Sequence, residues 1–230
     1  GAGEERRMDP ASNDVADRAR RQMHGIFVGE IQAMEGAGRT AFDYTIAEAP
    51  FAMKLDMARQ CWDAARHVEI SLLLGDHMGT DVGEYSEAVT LFEAACHPAP
   101  VFRLAGVNRA LEGLAIDVFT TMRDFATEMN DPVLHFCEDW MLADEVTHVK
   151  MGSTWLRELT KDDKERQTKA LEFQRTVDGL FNFRGMRGEN RDAAIRLARK
   201  FREMAGFESD EIDDIAAMAA EQRAQYATAY

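Results

Sequence analysis

Apolar residues recur at steps of three and four along nearly the whole chain, and few segments alternate with a period of two. This spacing gathers apolar side chains on one face of an α-helix, so the pattern predicts an all-α fold that needs no strands. A cap signal at residues 12–14 and breaks at prolines and glycines divide the pattern into long helices. The predicted helices lie at about 14–47, 51–76, 104–128 and 132–159.

The connection between the second and third predicted helices, residues 79–103, is too long for a tight turn. A long connection at this place is typical of the ferritin-like four-helix bundle, whereas short loops throughout would indicate simple up-and-down packing. Beyond Thr160 the chain is more charged, and we expect three further helices near 161–181, 190–205 and 209–226. The sequence therefore predicts a four-helix bundle at 13–160 with a helical C-terminal extension at 161–230.

The two halves of the predicted bundle repeat the same ionisable residues at positions where core helices are normally apolar. The offsets of the two matches are 82 and 81 residues, which indicates a duplicated helix pair. The matches are Glu30 with Glu112, and the pair Asp63 and His67 with the pair Asp144 and His148.

A metal site is one use for such residues. Glu145 and His148 are three residues apart on a helix, so their side chains can bind one metal cluster together. On its own, this Glu-x-x-His pattern is usually a solvated helix face. Two-metal bundles, however, combine one Glu on each of two helices with Glu-x-x-His on each of the other two. Glu30 and Glu112 fit the first pair of places, but the remaining place holds Ala64 and, three residues on, His67.

These motifs resemble those of known families. Residues 29–33, Gly-Glu-Ile-Gln-Ala, resemble the first ligand helix of rubrerythrins. Residues 144–155, Asp-Glu-Val-Thr-His-x-x-x-Gly-x-x-Trp, look like the last ligand helix of ferritin-like oxygenases, including aldehyde-deformylating oxygenase. Together with residues 111–117, Leu-Glu-Gly-Leu-Ala-Ile-Asp, the combination is most similar to an uncharacterised bacterial ferritin-like family known as domain of unknown function 455. The resemblance covers about residues 23–160.

The resemblance implies a role for each candidate ligand. Glu30 and Glu112 would be terminal carboxylates, and Glu145 would bridge two metals. His67 and His148 would bind one metal each. It also implies that Asp63 and Asp144, each next to a ligand position, orient the histidines and fix their tautomers.

Ala64 departs from the family pattern, which has a bridging Glu at this place. Two divalent metals carry four positive charges, so the loss of one of four carboxylates leaves about one charge uncompensated. The site could hold a single metal bound by Glu112, Glu145 and His148, or it could admit an external anion, such as a substrate carboxylate or halide. Asp63 could turn inwards with local distortion, or the site could be inactive and kept for its packing. Ala64 could also replace a natural glutamate.

Mixed oxygen and nitrogen ligands favour iron or manganese. We therefore expect a non-haem oxidase or oxygenase, with one metal or two, that activates O2 to oxidise a small-molecule substrate. Two alternatives stay open: a non-catalytic metal-binding protein, and a degenerate ferritin-like module kept for structure or interaction. A homodimer is an open option for its assembly.

The net charge of −14 argues against general binding to nucleic acid or anionic membranes, because both need a basic surface. No apolar run is long enough to span a bilayer. The three widely spaced cysteines suggest no disulfide framework, so we expect a cytoplasmic protein. The only concentrated basic stretch includes Arg184, Arg187 and Arg191. It is usually a solvated helix face, and its functional alternative is an anion-binding site.

Overall fold

The computed structural model describes residues 15–85, 89–182, 187–189 and 193–228, and most of them are helical. The all-α prediction is therefore confirmed. In chain order the elements are α1 (Val15–Asp43), α2 (Phe51–Met78), α3 (Thr90–Ala95), α4 (Pro100–Ala105), a π-helical segment (Gly106–Leu111), α5 (Glu112–Glu128), α6 (Pro132–Thr160), α7 (Lys164–Leu180), β1 (Arg187–Gly188), β2 (Ile195–Arg196), α8 (Arg199–Met204) and α9 (Ser209–Thr228).

The four long helices pack as two pairs. Helix α1 lies along α2, and α5 lies along α6; the pairs meet where α2 contacts α6 and α1 contacts α5. Buried apolar side chains from these helices, such as Met23, Ile116 and Met141, belong to one core cluster. Removing this apolar surface from water is the main force that holds the helices together. No helix within the described residues is long and apolar enough to cross a membrane.

The first helix ends earlier than its apolar pattern predicts. Helix α1 stops at Asp43 rather than near Ala47. Beyond it, the Glu48 carboxylate accepts hydrogen bonds from the backbone N–H and the hydroxyl of Thr45, at 2.9 and 2.7 Å. This local side-chain bonding competes with continued helix and fixes a turn before α2.

Residues 79–103, which the sequence predicts to be a connection, contain helix. Helix α3 lies within it, and the third long helix begins at Pro100 instead of near Leu104. Proline suits the first turn of a helix because its fixed φ is helical and its missing N–H has no partner there. From Pro100 the chain stays helical to Glu128, passing through the π-helical segment at Gly106–Leu111.

The C-terminal region differs from three simple helices. The helix predicted near 190–205 begins outside the described residues, and from residue 193 onward it is replaced by β2, which pairs in parallel with β1, and by the shorter α8. Side chains of α5 hold this stretch extended: the N–H of Arg196 donates to Thr121 Oγ1, and the N–H of Ala198 donates to Asp117 Oδ1. In a helix, these two N–H groups would instead donate to backbone carbonyls four residues earlier, so the side-chain acceptors compete with helix formation.

The segment after Thr160 packs directly on the long helices. Phe207, Ile212 and Ile215 belong to the same buried cluster as Met23 and Ile116 of the bundle. The core of the described chain is therefore shared between the long helices and the C-terminal segment.

Candidate metal centre

The structure brings the five predicted ligands together inside the bundle. Glu30 comes from α1, His67 from α2, Glu112 from α5, and Glu145 and His148 from α6. All five are buried, with relative exposures between 0 and 4%. They form two overlapping groups, one of Glu30, His67 and Glu145 and one of Glu112, Glu145 and His148. Within each group, the possible ligand atoms lie within 4.8 Å of one another.

Glu145 lies between the two imidazoles. Its Oε1 is 3.2 Å from His67 Nδ1 and 3.3 Å from His148 Nδ1. His67 Nδ1 also lies 3.1 Å from Glu30 Oε2, and His148 Nδ1 lies 3.9 Å from Glu112 Oε2. The Nδ1 atoms of both rings therefore face the carboxylates at the centre, and the ring centroids are 6.0 Å apart.

The outward Nε2 atoms face the two aspartates across the bundle. His67 Nε2 is 3.3 Å from Asp144 Oδ2, and His148 Nε2 is 3.2 Å from Asp63 Oδ2. Each aspartate thus contacts the histidine of the other helix, not the histidine four residues along its own. A carboxylate at one ring nitrogen fixes the tautomer and leaves the other nitrogen available to a cation.

Arg66 of α2 contacts both of these aspartates. Arg66 forms an ion pair with Asp63, and its guanidinium also reaches Asp144 at 3.4 Å. The same guanidinium lies over the ring of Trp140, 4.8 Å from the centroid. Sequence reasoning missed Arg66, although it stands inside the Asp63–His67 motif. It ties both aspartates to one cation and covers this side of the site.

The buried carboxylates and imidazoles shift one another's pKa values. Burial raises the pKa of Glu145 to about 8, and the neighbouring carboxylate of Glu112 adds to the rise. Burial alone would lower the pKa of His67, but Glu30 and Asp144 outweigh it and raise this pKa to about 12. Burial is likewise outweighed at His148, where Glu145 and Asp63 raise the pKa well above its usual value. Protons thus balance the buried carboxylates here, and a metal cation could replace them.

A chain of amides reaches the Glu112 side of the centre. Gln60 Nε2 donates to Glu112 Oε1 at 2.5 Å, and Asn108 Nδ2 donates to Gln60 Oε1. Gln60 and Asn108 are both fully buried. Asn108 lies in the π-helical segment that runs directly into Glu112, and such segments are frequent at functional sites. Sequence reasoning missed both residues.

One sequence signal could have pointed to this contact. Gly152 on α6 faces the π-helical segment so closely that an added Cβ would lie 2.5 Å from Asn108 Cβ and 3.1 Å from its carbonyl oxygen. A glycine inside a long helix costs stability, so it usually marks a close approach of another backbone.

Glu138 is a further buried carboxylate that sequence reasoning missed. It lies on α6 and is 0% exposed. Its place on α6, seven residues before Glu145, was the available signal, because residues two turns apart share a helix face.

The structure describes only one of the three arginines proposed to bind an anion, Arg187. Arg187 is buried and lies 3.4 Å from Asp178 and 3.7 Å from Asp117 in ion pairs. Its charge is thus compensated inside the protein instead of being offered to an external anion. Arg184 and Arg191 lie outside the described residues.

The molecule is thus a mostly helical protein with a buried carboxylate–histidine cluster that could hold metal. Residues 4–213 match a family described as "Protein of unknown function (DUF455)", and the chain belongs to this family. No curated protein and no solved structure matches the chain significantly.

Proposed function

We propose that the protein is a ferritin-like, metal-dependent oxidoreductase that binds two ions of iron or manganese and uses O2 to oxidise a small organic molecule. The observation that carries this proposal is the pair of overlapping ligand groups that share Glu145. Each group offers two carboxylates and one imidazole, which is a ligand set suited to these ions.

Unsatisfied buried atoms support a cation at the centre. Neither carboxylate oxygen of Glu145, nor Nδ1 of His148, makes a hydrogen bond of good geometry among the described residues, although Glu145 Oε1 lies 3.2 and 3.3 Å from the two Nδ1 atoms. Buried polar atoms in folded proteins normally have a partner, since leaving one without costs free energy. A metal between Glu145 and the imidazoles would satisfy these atoms together, so the residues present fit the ion.

The arrangement of donors over the helices supports the ferritin-like assignment. Helices α1 and α5 contribute one glutamate each, and α6 contributes Glu145 with His148, as in two-metal carboxylate bundles. Helix α2 contributes His67 but has Ala64 in place of its glutamate. Three of the four ligand helices thus follow the pattern in full.

The surrounding residues would protect and tune bound ions. Iron or manganese would supply the electrons that reduce O2 when bound. The chain's own part is to bind the ions through buried carboxylates, to hold each imidazole by an aspartate at Nε2, and to exclude water. Arg66 stacked on Trp140 contributes to that exclusion on the side of the two aspartates.

Anaerobic reconstitution with Fe(II), followed by measurement of bound metal and of O2 consumption, tests the proposal. We expect about two ions per chain for the wild type and rapid O2 uptake. His148→Ala should lose the ion of the second group, since it removes the only imidazole there. His135→Ala is the matched control on the same helix, because His135 is exposed and should leave metal content unchanged.

Other results would favour the alternative functions. Bound metal without O2 uptake favours a non-catalytic metal-binding protein. A folded wild-type chain that takes up no metal overturns the proposal and favours a structural or interaction module. Full metal content in His148→Ala would contradict the ligand assignment.

A further inference from the structure

Glu138 is a buried acidic residue outside the two close ligand groups. Its relative exposure is 0%, and neither of its carboxylate oxygens has a hydrogen-bond partner in the described part of the chain. A buried carboxylate is stable only when a hydrogen bond, a cation or a proton compensates it. In the metal-free protein this compensation is a proton, because burial raises the pKa of Glu138 well above its usual value, and a bound cation could take the place of that proton.

The position of Glu138 relates it to one side of the metal centre. It precedes Glu145 by seven residues, so the two Cα atoms are about 10.5 Å apart along α6 and on nearly the same face of the helix. Along α6, His148 faces Asp63 of α2 and Asp144 faces His67, so a residue before Asp144 lies on the His67 side. Burial has the largest effect on the pKa of Glu138, and the charges of His67 and Glu30 come next. Glu138 is therefore associated with the Glu30–His67 side of the centre rather than with the Glu112–His148 side.

Apolar side chains lie beside Glu138 on the inner side of α6. Leu134, Met141 and Leu142, which share the inner side of α6 with Glu138, are buried in the apolar core cluster. Trp140 packs its ring against the His67 imidazole, with centroids 5.7 Å apart. These apolar side chains offer Glu138 no hydrogen bond, so a cation bound beside His67 and Glu30 would compensate its charge in place of a proton.

The two ligand groups together are short of one carboxylate. Glu30, Glu112 and Glu145 supply three negative charges, whereas two divalent ions bring four positive ones. The position that would complete the set on α2 is Ala64. A fourth buried carboxylate near Glu30 and His67 would restore the balance from a different helix.

We infer that Glu138 supplies this fourth carboxylate and binds the ion held by Glu30 and His67, in place of the glutamate absent at Ala64. The inference rests on the proposed function and deepens it. Helix α6 would then provide three ligands, and α2 only one. Glu138 is not part of either close group, so its side chain must turn toward His67 when the ion binds. A glutamate side chain has the rotatable bonds for this movement.

Glu138→Gln tests the inference because it keeps size and shape but removes the charge. We expect the wild type to bind two ions and Glu138→Gln to bind one tightly, with the affinity for the second reduced at least tenfold. Bound metal is counted by mass spectrometry, and both affinities are followed by Co(II) absorption during titration. Glu158→Gln is the matched control, since Glu158 lies on the same helix with 47% of its side chain exposed. It should bind two ions.

A compensating substitution makes the test specific. If Glu138 and a residue at position 64 serve the same ion, Ala64→Glu in the Glu138→Gln background should restore the second ion. Thermal unfolding of each metal-free variant establishes that it is folded. Should Glu138→Gln not fold, Glu138→Asp, which keeps the charge but shortens the reach, should weaken the second ion alone.

The outcomes separate this inference from the proposed function. A folded Glu138→Gln chain that binds two ions with wild-type affinity overturns the inference and leaves the metal centre intact. A wild type that binds only one ion, unchanged in Glu138→Gln, also overturns it. A wild type that binds none overturns the metal centre itself.

Discussion

Asp63 on α2 reaches across the bundle to His148 on α6, and its Oδ2 lies 3.2 Å from Nε2 of the imidazole. Asp144 makes the reciprocal contact with His67, at 3.3 Å. Each of the two helices thus holds the histidine of the other through its outward nitrogen. The duplicated Asp-x-x-x-His motif acts across the helix pair, so that neither histidine is positioned by its own helix alone.

Asp63→Asn is expected to weaken one metal position selectively. The amide carries no negative charge beside His148 Nε2, so the ring is held less firmly and its basicity falls. We expect the affinity of the Glu112–His148 position to fall about 10- to 100-fold, the usual effect of removing such a carboxylate. Titration of metal against a competing chelator measures the change.

A control distinguishes this effect from a general loss of charge. Asp76→Asn removes an exposed carboxylate from the same helix and should leave both affinities unchanged. Asp144→Asn should instead weaken the Glu30–His67 position. Equal losses at both positions in either aspartate variant would show that the reciprocal contacts do not act separately.

Gly152→Ala is expected to destabilise the protein and disturb the Glu112 side of the centre. The new Cβ would lie 2.5 Å from Asn108 Cβ, so α6 or the π-helical segment must move. Overpacking of this kind costs about 1–3 kcal/mol of the free energy of unfolding. Because Asn108 supports Gln60 and Gln60 supports Glu112, metal affinity at this position should fall as well.

Gly25→Ala is the matched control, read by urea unfolding of both variants. Nothing lies within 4 Å of a Cβ added at Gly25, which is inside helix α1. Replacing an unhindered helical glycine by alanine should stabilise the fold, by roughly 0.5–1 kcal/mol. A Gly152→Ala protein as stable as the wild type would disprove the proposed close approach.

The sequence predicted the residues of the buried cluster better than the residues that contact them from outside. Glu30, His67, Glu112, Glu145 and His148 could be proposed together because the internal repeat and the helical period constrain them. Gln60 and Asn108 could not be predicted, because neither belongs to the internal repeat. The position of Asn108 also depends on a π-helical segment, which the spacing of apolar residues does not predict.

In the fold, too, features set by nearby residues could be predicted, whereas a feature set by distant residues could not. The long helices follow from the spacing of apolar residues, and the all-α class was predicted correctly. The extended stretch before α8 could not be predicted, because Thr121 and Asp117, about 80 residues earlier, accept its backbone hydrogen bonds.

Arg202→Ala is expected to destabilise the junction between α5 and α8 strongly. Arg202 and Asp117 are both 0% exposed and form a two-pronged ion pair, with Nη2 2.7 Å from Oδ2 and Nε 3.0 Å from Oδ1. Removing one partner leaves a buried carboxylate with less compensation, a change that typically costs about 3–5 kcal/mol. Urea unfolding should show a correspondingly lower midpoint.

Arg199→Ala provides the comparison from the same helix. Arg199 pairs with Glu189 and Asp213, whose side chains are largely exposed, so its removal should change the midpoint little. If the two variants unfold at the same urea concentration, the buried pair does not stabilise this junction.

Metal uptake is expected to release protons and to strengthen as pH rises. In the metal-free protein the pKa of Glu145 is raised to about 8 and that of His67 to about 12, so both hold a proton near neutral pH. The pKa of His148 is also raised, and all three groups must lose their protons to bind an ion. Roughly three protons per chain should therefore be released at pH 7.

Calorimetric titration with Co(II) in buffers of different ionisation enthalpy measures this release. Because protons compete with the ion for His67 up to high pH, affinity should keep rising between pH 6 and 9 instead of levelling off above the ordinary histidine pKa of about 6.5. His148→Ala should release fewer protons than the wild type. An apparent enthalpy that does not depend on the buffer would contradict the protonated state of the metal-free centre.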